Sequence, residues 1–217
     1  MNQRIAISTE CVADMPMAIL EEREIALVYF DIQTNKGLFR DTQEIDAVNV
    51  IDYMKGGYNK ATSVAPSPST YADHFMDLLK GCDEVIHISI SSKVSQGYKN
   101  ASIGRTKMGF EGNRVHIIDS KQLSGGQALL VLKACDMLKE KRSLKEIIRE
   151  VEFLADKVST SFMTDSLEYL SYNGRVSKKA MELCKRLRVH AVLAMKDGSL
   201  ELDSVHIGTY DNCARKY

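Results

Sequence analysis

The chain has 217 residues, of which 44% are hydrophobic and 27% charged, a composition typical of globular proteins that excludes a disordered or fibrous one. Its 29 basic and 29 acidic residues cancel, so no overall positive field would draw the chain onto nucleic acid or an anionic membrane surface. With 13 glycines and 3 prolines, long flexible linkers are not expected.

The first elements in chain order are short. Residues 4–8 and 25–30 form apolar runs that predict buried strands. An extended segment then returns through Asn35-Lys36-Gly37, which predicts a hairpin. Apolar residues at helical spacing over 47–54 predict a helix that ends before two glycines.

A regular alternation of strands and helices follows the turn-rich loop at residues 60–70. Strands are predicted at 84–90 and 114–118, and helices at 71–79, 95–110, 129–138 and 143–157. Ser143 and Glu146 have the spacing of a capping box at the start of the last helix. This rhythm predicts a parallel sheet with helices on both faces, an α/β/α domain over residues 1–157.

The register changes after residue 157. We expect a strand over 158–163, two helices separated at Asn173-Gly174, and a hairpin over 191–207 that turns at Asp197-Gly198. Residues 158–217 are therefore predicted to form a smaller α/β domain.

Neutral hydrogen-bond donors follow several predicted strands, at the sheet edge where ligands of such folds gather. They comprise Ser8-Thr9, residues 91–98, Asp119-Ser120 and the hydroxyls of the 62–70 loop. A helix N-terminus with hydroxyls beside it can bind a carboxylate or phosphate. The competing explanation is that each of these residues only caps a helix or forms a turn.

Signals for catalysis, metals and secretion are missing from the sequence. There is no GxSxG, Walker or GxGxxG motif, and the histidines lack metal-ligand spacing. His87 and His116 are interpreted as hydrogen-bonded or partly buried core histidines, and Cys11 as a small buried hydrophobe. The 5 cysteines are odd in number and far apart, which favours reduced thiols in a cytoplasm. No signal peptide or membrane span is indicated, so we expect a cytoplasmic binding protein without catalytic residues, metal or cofactor.

An ordered series of segments resembles the DegV family of fatty-acid-binding proteins. The segments are residues 9–16 (TECVADMP), 37–41 (GLFRD), 62–68 (TSVAPSP), 91–98 (SSKVSQGY), 119–120 (DS), 169–177 (YLSYNGRVS) and 197–198 (DG). They resemble the family's TDSSADLP, G-x-x-Y-x-D, TSQPSP, SS-x-LSGTY, DS, YL-x-x-GGRIS and DG motifs. The resemblance covers essentially the whole chain.

The resemblance implies a two-domain protein that holds one long-chain fatty acid in an apolar tunnel. The carboxylate would meet Thr62 and Ser95, with Ser63, Gln96 and Gly97 as further contacts. The resemblance also implies a partner, an ATP-dependent fatty acid kinase that makes an acyl phosphate, and places Arg175 where that kinase or the phosphate docks.

The chain departs from the family pattern in three places that affect this expectation. Glu10 replaces an aspartate, and Gln96 stands where glycine is usual. The family's chain continues past the final hairpin, so the second domain is expected to be truncated. Two alternatives therefore stay open: an enzyme or phosphotransfer protein acting on a small phosphorylated or hydroxylated ligand, and a truncated interaction module that binds no lipid. A second copy of the chain, forming a homodimer, is kept among the candidate partners.

Overall fold

The computed structural model describes residues 3–55, 60–167, 177, 179, 182, 184 and 186–217. The chain forms two compact units. The first comprises Met1–Val158 with Asp197–Ser199, and the second comprises Ser159–Lys196 with Leu200–Tyr217.

A parallel sheet of four strands forms the centre of the first unit. Its strands are β1 (Ile5–Glu10), β2 (Ala26–Val28), β6 (Glu84–Ser89) and β7 (Val115–Asp119), in the order β2-β1-β6-β7. The central strands β1 and β6 are largely buried because helices cover both faces of the sheet, and they bury polar as well as apolar side chains. Strand β1 extends two residues beyond the predicted end, so that Thr9 and Glu10 lie inside it.

Helices cover both faces of this sheet and confirm the predicted α/β/α architecture. They are α1 (Met17–Glu22), α3 (Pro68–Leu79), α4 (Gly97–Lys107), α5 (Ser124–Lys139) and α6 (Leu144–Ala155), with 3-10 turns at Cys11–Ala13 and Gly109–Arg114. A further helix, α2 (Ala47–Lys55), has no buried residue and takes no part in the core of this sheet. Ile86 packs with α5 and α6 in one core, and Val85 packs with α3 and α4 in the other. Neighbouring residues of β6 therefore supply opposite faces, as expected for a strand.

Two helix starts have local explanations in the sequence. The Ser67 hydroxyl accepts a hydrogen bond from the Thr70 amide at 3.1 Å, and Pro68 occupies the first turn of α3. Ser143 and Glu146 form the predicted capping box of α6.

A small antiparallel sheet in the first unit carries one part of the predicted site. Its strands are β3 (Asp31–Thr34), β4 (Gly37–Arg40) and β5 (Thr62–Val64), in the order β4-β3-β5. The turn between β3 and β4 is the predicted hairpin. Strand β5 pairs with β3, with Ser63 opposite Ile32 and Thr62 opposite Gln33.

The second unit contains a sheet of three strands. They are β8 (Ser161–Met163), β9 (Val189–Lys196) and β10 (Ser199–Ile207), in the order β10-β9-β8, followed by a short helix at Tyr210–Ala214. Asp197 and Gly198 have φ values of 48° and 80°, both positive as a type I′ hairpin turn requires, which confirms the turn predicted there. Strand β8 begins three residues later than predicted, and the helices expected around Asn173-Gly174 lie outside the described residues.

Candidate functional site

A cleft of about 480 Å³ lies beyond the end of β6 in the first unit. Residues 63–65 form one wall, which we call the Ser63 segment, and residues 92–96 form the other, which we call the Ser95 segment. Asn100 of α4 also lines the cleft.

Turn hydrogen bonds hold the Ser95 segment in place. The Ser91 carbonyl accepts from the amides of Val94 and Ser95 at 3.1 and 3.2 Å. Helix α4 then begins at Gly97, whose amide donates to the Ser95 hydroxyl oxygen at 3.2 Å. Because that hydroxyl acts as an acceptor in this bond, its own hydrogen is available to donate to a ligand.

Asn100 links the two walls of the cleft. Its side-chain amide donates to the carbonyl of Pro66 at 2.8 Å, which joins α4 to the loop that follows the Ser63 segment. The spacing of the two walls is therefore set by side-chain contacts as well as by the chain path.

Three of the residues proposed from the sequence for carboxylate contact come together in the cleft. Ser63, Ser95 and Gln96 line it, whereas Thr62 and Gly97 are not among its lining residues. Thr62 precedes Ser63 in β5, and successive side chains of a strand point to opposite faces. Gly97 is buried beneath the Ser95 segment. Arg175 lies outside the described residues.

Lys93 is a cleft residue that the sequence reasoning missed. Among the residues that line the cleft, Lys93 carries a charge and the others are neutral. It occupies a variable position of the SS-x-LSGTY motif, so the motif gave no signal for it. The exposed ammonium of Lys93 supplies positive charge where hydroxyl donors face the same opening.

A buried carboxylate, Glu10, lies next to the cleft. Its Oε1 accepts from the hydroxyls of Ser89 and Tyr71 at 2.6 and 3.0 Å. Its Oε2 accepts from the Ile90 amide at 3.0 Å and from Gln127 Nε2 at 2.7 Å. The sequence reasoning placed Ser8 and Thr9 at a ligand-binding rim, which is wrong, because β1 extends through Glu10 and all three residues are wholly buried.

The surroundings of Glu10 keep its carboxylate ionised. Burial raises the pKa of Glu10, but the electrostatic interaction with His87 and hydrogen bonds from His87, Ser89 and Ile90 outweigh it and bring the pKa below its usual value. Gln127 turns its amide group toward Glu10, which leaves its own Oε1 without a hydrogen-bond partner in the part of the chain that the structure describes. The carboxylate, the Thr9 hydroxyl oxygen and the Ile88 carbonyl all accept from this amide group, and together they set the orientation of that side chain.

Two histidines continue the hydrogen bonds that begin at Glu10. His87 Nε2 lies 3.3 Å from Glu10 Oε1, and the Ser8 hydroxyl lies 3.0 Å from His87 Nδ1 and 2.8 Å from His74 Nε2. Burial and the neighbouring His87 lower the pKa of His74 to about 4. His87 is thus the buried, hydrogen-bonded core histidine that the sequence predicts.

Cys11 does not have the properties of a reactive thiol. It is buried, and burial raises the pKa of its thiol to about 12, against which the hydrogen bond from the Phe30 amide acts only in part. All five cysteines are free. Within the described ranges, no group of three or more His, Cys, Asp or Glu side chains is placed to hold a metal ion.

The second unit has a cavity of its own, of about 500 Å³. It is lined by residues 165–167, Cys184, 188–190 and 208–210. Leu167 lines it, whereas Met163 is half-buried in β8. No helix among the described residues combines the length and apolar character needed to cross a bilayer.

Comparisons with known proteins agree on one family. A family model described as an uncharacterised protein of the DegV family matches residues 4–208. A DegV domain-containing protein of Caldanaerobacter subterraneus is 32% identical over 200 residues, which are 92% of this chain and 70% of the relative. A second, from Clostridium acetobutylicum, is 28% identical over 200 residues, 92% of this chain and 71% of its own.

Solved structures share the fold. A DegV family protein from Thermus thermophilus, described by its fatty acid binding, superposes with a TM-score of 0.86 at 26% identity, over 98% of this chain and 74% of the other. The fatty acid kinase B3 protein of Streptococcus pneumoniae, loaded with linoleic acid, superposes with a TM-score of 0.79 at 21% identity, over 98% and 79% of the two chains.

Proposed function

The chain belongs to the DegV family, and on this premise we propose that it is a carrier of one long-chain fatty acid. The observation that carries the proposal is the cleft in which Ser63, Ser95 and Gln96 meet beside Lys93. The Thermus relative, which this chain resembles at 26% identity, is described by its fatty acid binding. The chemistry of the cleft and this likeness support the same ligand class.

The cleft suits the polar end of such a ligand. A carboxylate needs hydrogen-bond donors, and the Ser95 hydroxyl has its hydrogen available while the Gln96 amide has two more. Lys93 adds a positive charge, which favours an ionised carboxylate over an uncharged alcohol or ester. We assign Ser63 and Ser95 the central role, with Thr62 and Gly97 as retained candidates from the family motif.

The acyl chain supplies most of the affinity in this proposal. Each methylene removed from water contributes about 0.8 kcal/mol, so an apolar tunnel outweighs a few hydrogen bonds. The hydroxyls and Lys93 then select the headgroup and fix its orientation.

The chain itself is proposed to perform no chemistry. An ATP-dependent fatty acid kinase would phosphorylate the presented carboxylate, as the family resemblance implies, and Arg175 would contact that kinase or the phosphate. The likeness to the kinase B3 protein of Streptococcus pneumoniae supports the fold this role requires.

Exposed apolar side chains on the second unit favour a second candidate function, that of an interaction module. Leu187, Leu202, Val205 and Ile207 are exposed there. Of these, Val205 and Ile207 share one face of β10. Exposed apolar surface often marks a protein interface, and the partners of such a module include a second copy of the chain.

Native mass spectrometry of the purified protein tests both functions. We expect a mass increase equal to one fatty acid, removed by organic extraction and restored by added palmitate. Ser63→Ala combined with Ser95→Ala should weaken retention by about tenfold, the worth of one or two hydrogen bonds, whereas Ser69→Ala, on exposed α3 surface, should not.

Other results of the same experiment would contradict the carrier function. A protein that neither carries nor takes up fatty acid is not a carrier, and uptake of a small phosphorylated compound instead would support the competing phosphate ligand. A dimer mass without lipid would support the interaction module.

A further inference from the structure

The Glu10 carboxylate lies against the residues that flank the Ser95 segment on either side. Ser89 and Ile90, which donate to it, precede the segment at the end of β6. Gly97, which follows the segment, packs so closely that a Cβ built there would lie 3.2 Å from Glu10 Oε1. The carboxylate thus lies between the residues that lead into the segment and the residue at which α4 begins.

The same carboxylate reaches the Ser63 segment through α3. Tyr71 lies in the first turn of α3, directly after the loop that leaves the Ser63 segment, and its hydroxyl donates to Glu10 Oε1 at 3.0 Å. A Cβ built on Gly97 would lie 3.3 Å from that hydroxyl. The two walls therefore meet at one buried oxygen atom.

A third helix, α5, also donates a hydrogen bond to this carboxylate. Gln127 of α5 donates to Glu10 Oε2 from the other side, at 2.7 Å. Glu10 is wholly buried and lines no part of the cleft. Its effect on a ligand would be exerted through the residues that it holds.

We propose that Glu10 is the positioning residue of the cleft, holding the Ser63 and Ser95 segments at the spacing at which both hydroxyls reach one ligand headgroup. The statement about the headgroup rests on the proposed function. The statement about the spacing of the two segments does not, and it is tested separately.

Hydrogen exchange read by mass spectrometry tests the spacing without any ligand. In Glu10→Ala, backbone amides of residues 60–67 and 90–97 should both exchange faster by about tenfold, because one anchor has been lost from both. The matched control is Thr9→Val, which removes the buried hydrogen bond of the neighbouring residue to the Ile88 carbonyl and one acceptor of Gln127, but leaves every hydrogen bond to Glu10 in place. It should leave both segments unchanged.

Two further variants separate positioning from general loss of structure. Glu10→Gln keeps the length of the side chain; its oxygen can accept from Ile90 and Gln127 while its amide group donates to the two hydroxyls, so it should restore slow exchange. Tyr71→Phe removes the contact to α3 and should loosen residues 60–67 alone, which keeps the test available if Glu10→Ala does not fold. Uniform exchange changes, or two unchanged segments, would overturn the proposal.

Headgroup selectivity tests the consequence for binding. The ratio of palmitate to hexadecanol affinity should fall about tenfold in Glu10→Ala, since a misplaced donor costs headgroup recognition and leaves chain burial intact. Glu10→Gln and Thr9→Val should keep the wild-type ratio. An unchanged ratio in Glu10→Ala contradicts the positioning role. Wild-type protein that binds neither lipid contradicts the proposed function, while the exchange measurement still decides the role of Glu10.

Discussion

Four side chains of the first unit are linked by hydrogen bonds that run from Glu10 through His87 and Ser8 to His74. Buried polar groups are costly unless they are hydrogen-bonded, and here each member has a partner within 3.3 Å. The ionised end is surrounded by donors, whereas burial keeps His74 from gaining a proton at neutral pH. Both effects make the folded state less stable as the pH falls.

The pH dependence of stability should therefore change when His74 is replaced. An unfolded histidine binds a proton near the ordinary histidine pKa of 6.5, whereas the pKa of folded His74 is about 4, so between these values acidification favours unfolding. From pH 7 to pH 5 this linkage removes about 2 kcal/mol from the free energy of unfolding. Urea unfolding of His74→Gln at both pH values should show that loss reduced.

His116→Gln is the matched control for this measurement. His116 is partly exposed on β7 and is hydrogen-bonded to Glu84, and it takes no part in the hydrogen bonds that link Glu10, His87, Ser8 and His74. The wild-type pH dependence should persist in it. Equal losses in His74→Gln and wild type would show that His74 is not the group responsible.

Helices α3 and α4 pack against each other closely because Gly104 has no side chain. A Cβ built on Gly104 would lie 2.6 Å from the Pro68 carbonyl and 3.1 Å from the Ala72 amide nitrogen, both backbone atoms that cannot turn aside. These helices follow the two walls of the cleft, so their separation also influences the spacing of Ser63 and Ser95.

Gly104→Ala should destabilise the protein although alanine favours helices. The intrinsic gain is at most about 1 kcal/mol, and overpacking costs about 1–3 kcal/mol, so the melting temperature should fall. Gly125→Ala in α5 is the matched control, because a Cβ there meets nothing within 4 Å. Its melting temperature should stay the same or rise. A more stable Gly104→Ala would show that the helices can separate freely.

The first unit supplies all the core residues described on both faces of its parallel sheet. The residues that pack on either side of the parallel sheet all lie between residues 5 and 158. A chain of this length can bury enough apolar surface to fold without help from disulfides or metals.

A fragment of residues 1–158 should therefore fold by itself. We expect one cooperative transition in urea and dispersed backbone amide signals in NMR, because the fragment keeps the core residues described on both faces of the parallel sheet. A fragment that unfolds without cooperativity would mean that the first unit depends on the rest of the chain. The matched full-length protein provides the reference transition.

Much of the fold could be predicted because its signals are local. Asp197-Gly198 favours a type I′ turn wherever it occurs between strands, and Ser143 with Glu146 caps a helix through atoms three residues apart. The residues of the candidate site were harder to predict from the sequence. Thr62 and Ser63 look alike in the sequence, and only the pairing of β5 with β3 distinguishes the faces on which their side chains lie.

The alternation of strands and helices and the positions of the turns could be predicted from the sequence alone. The lack of known catalytic motifs and the family resemblance could also be recognised there. These follow from hydrophobic periodicity and from residue types at short spacing. Only the tertiary structure decided that Glu10 is buried among Tyr71, Ser89 and Gln127, which lie 61, 79 and 117 positions away. Contacts across such distances depend on how strands and helices pack, and no local pattern encodes that packing. For the same reason Lys93 emerged as a cleft residue only when the fold placed it beside Ser95.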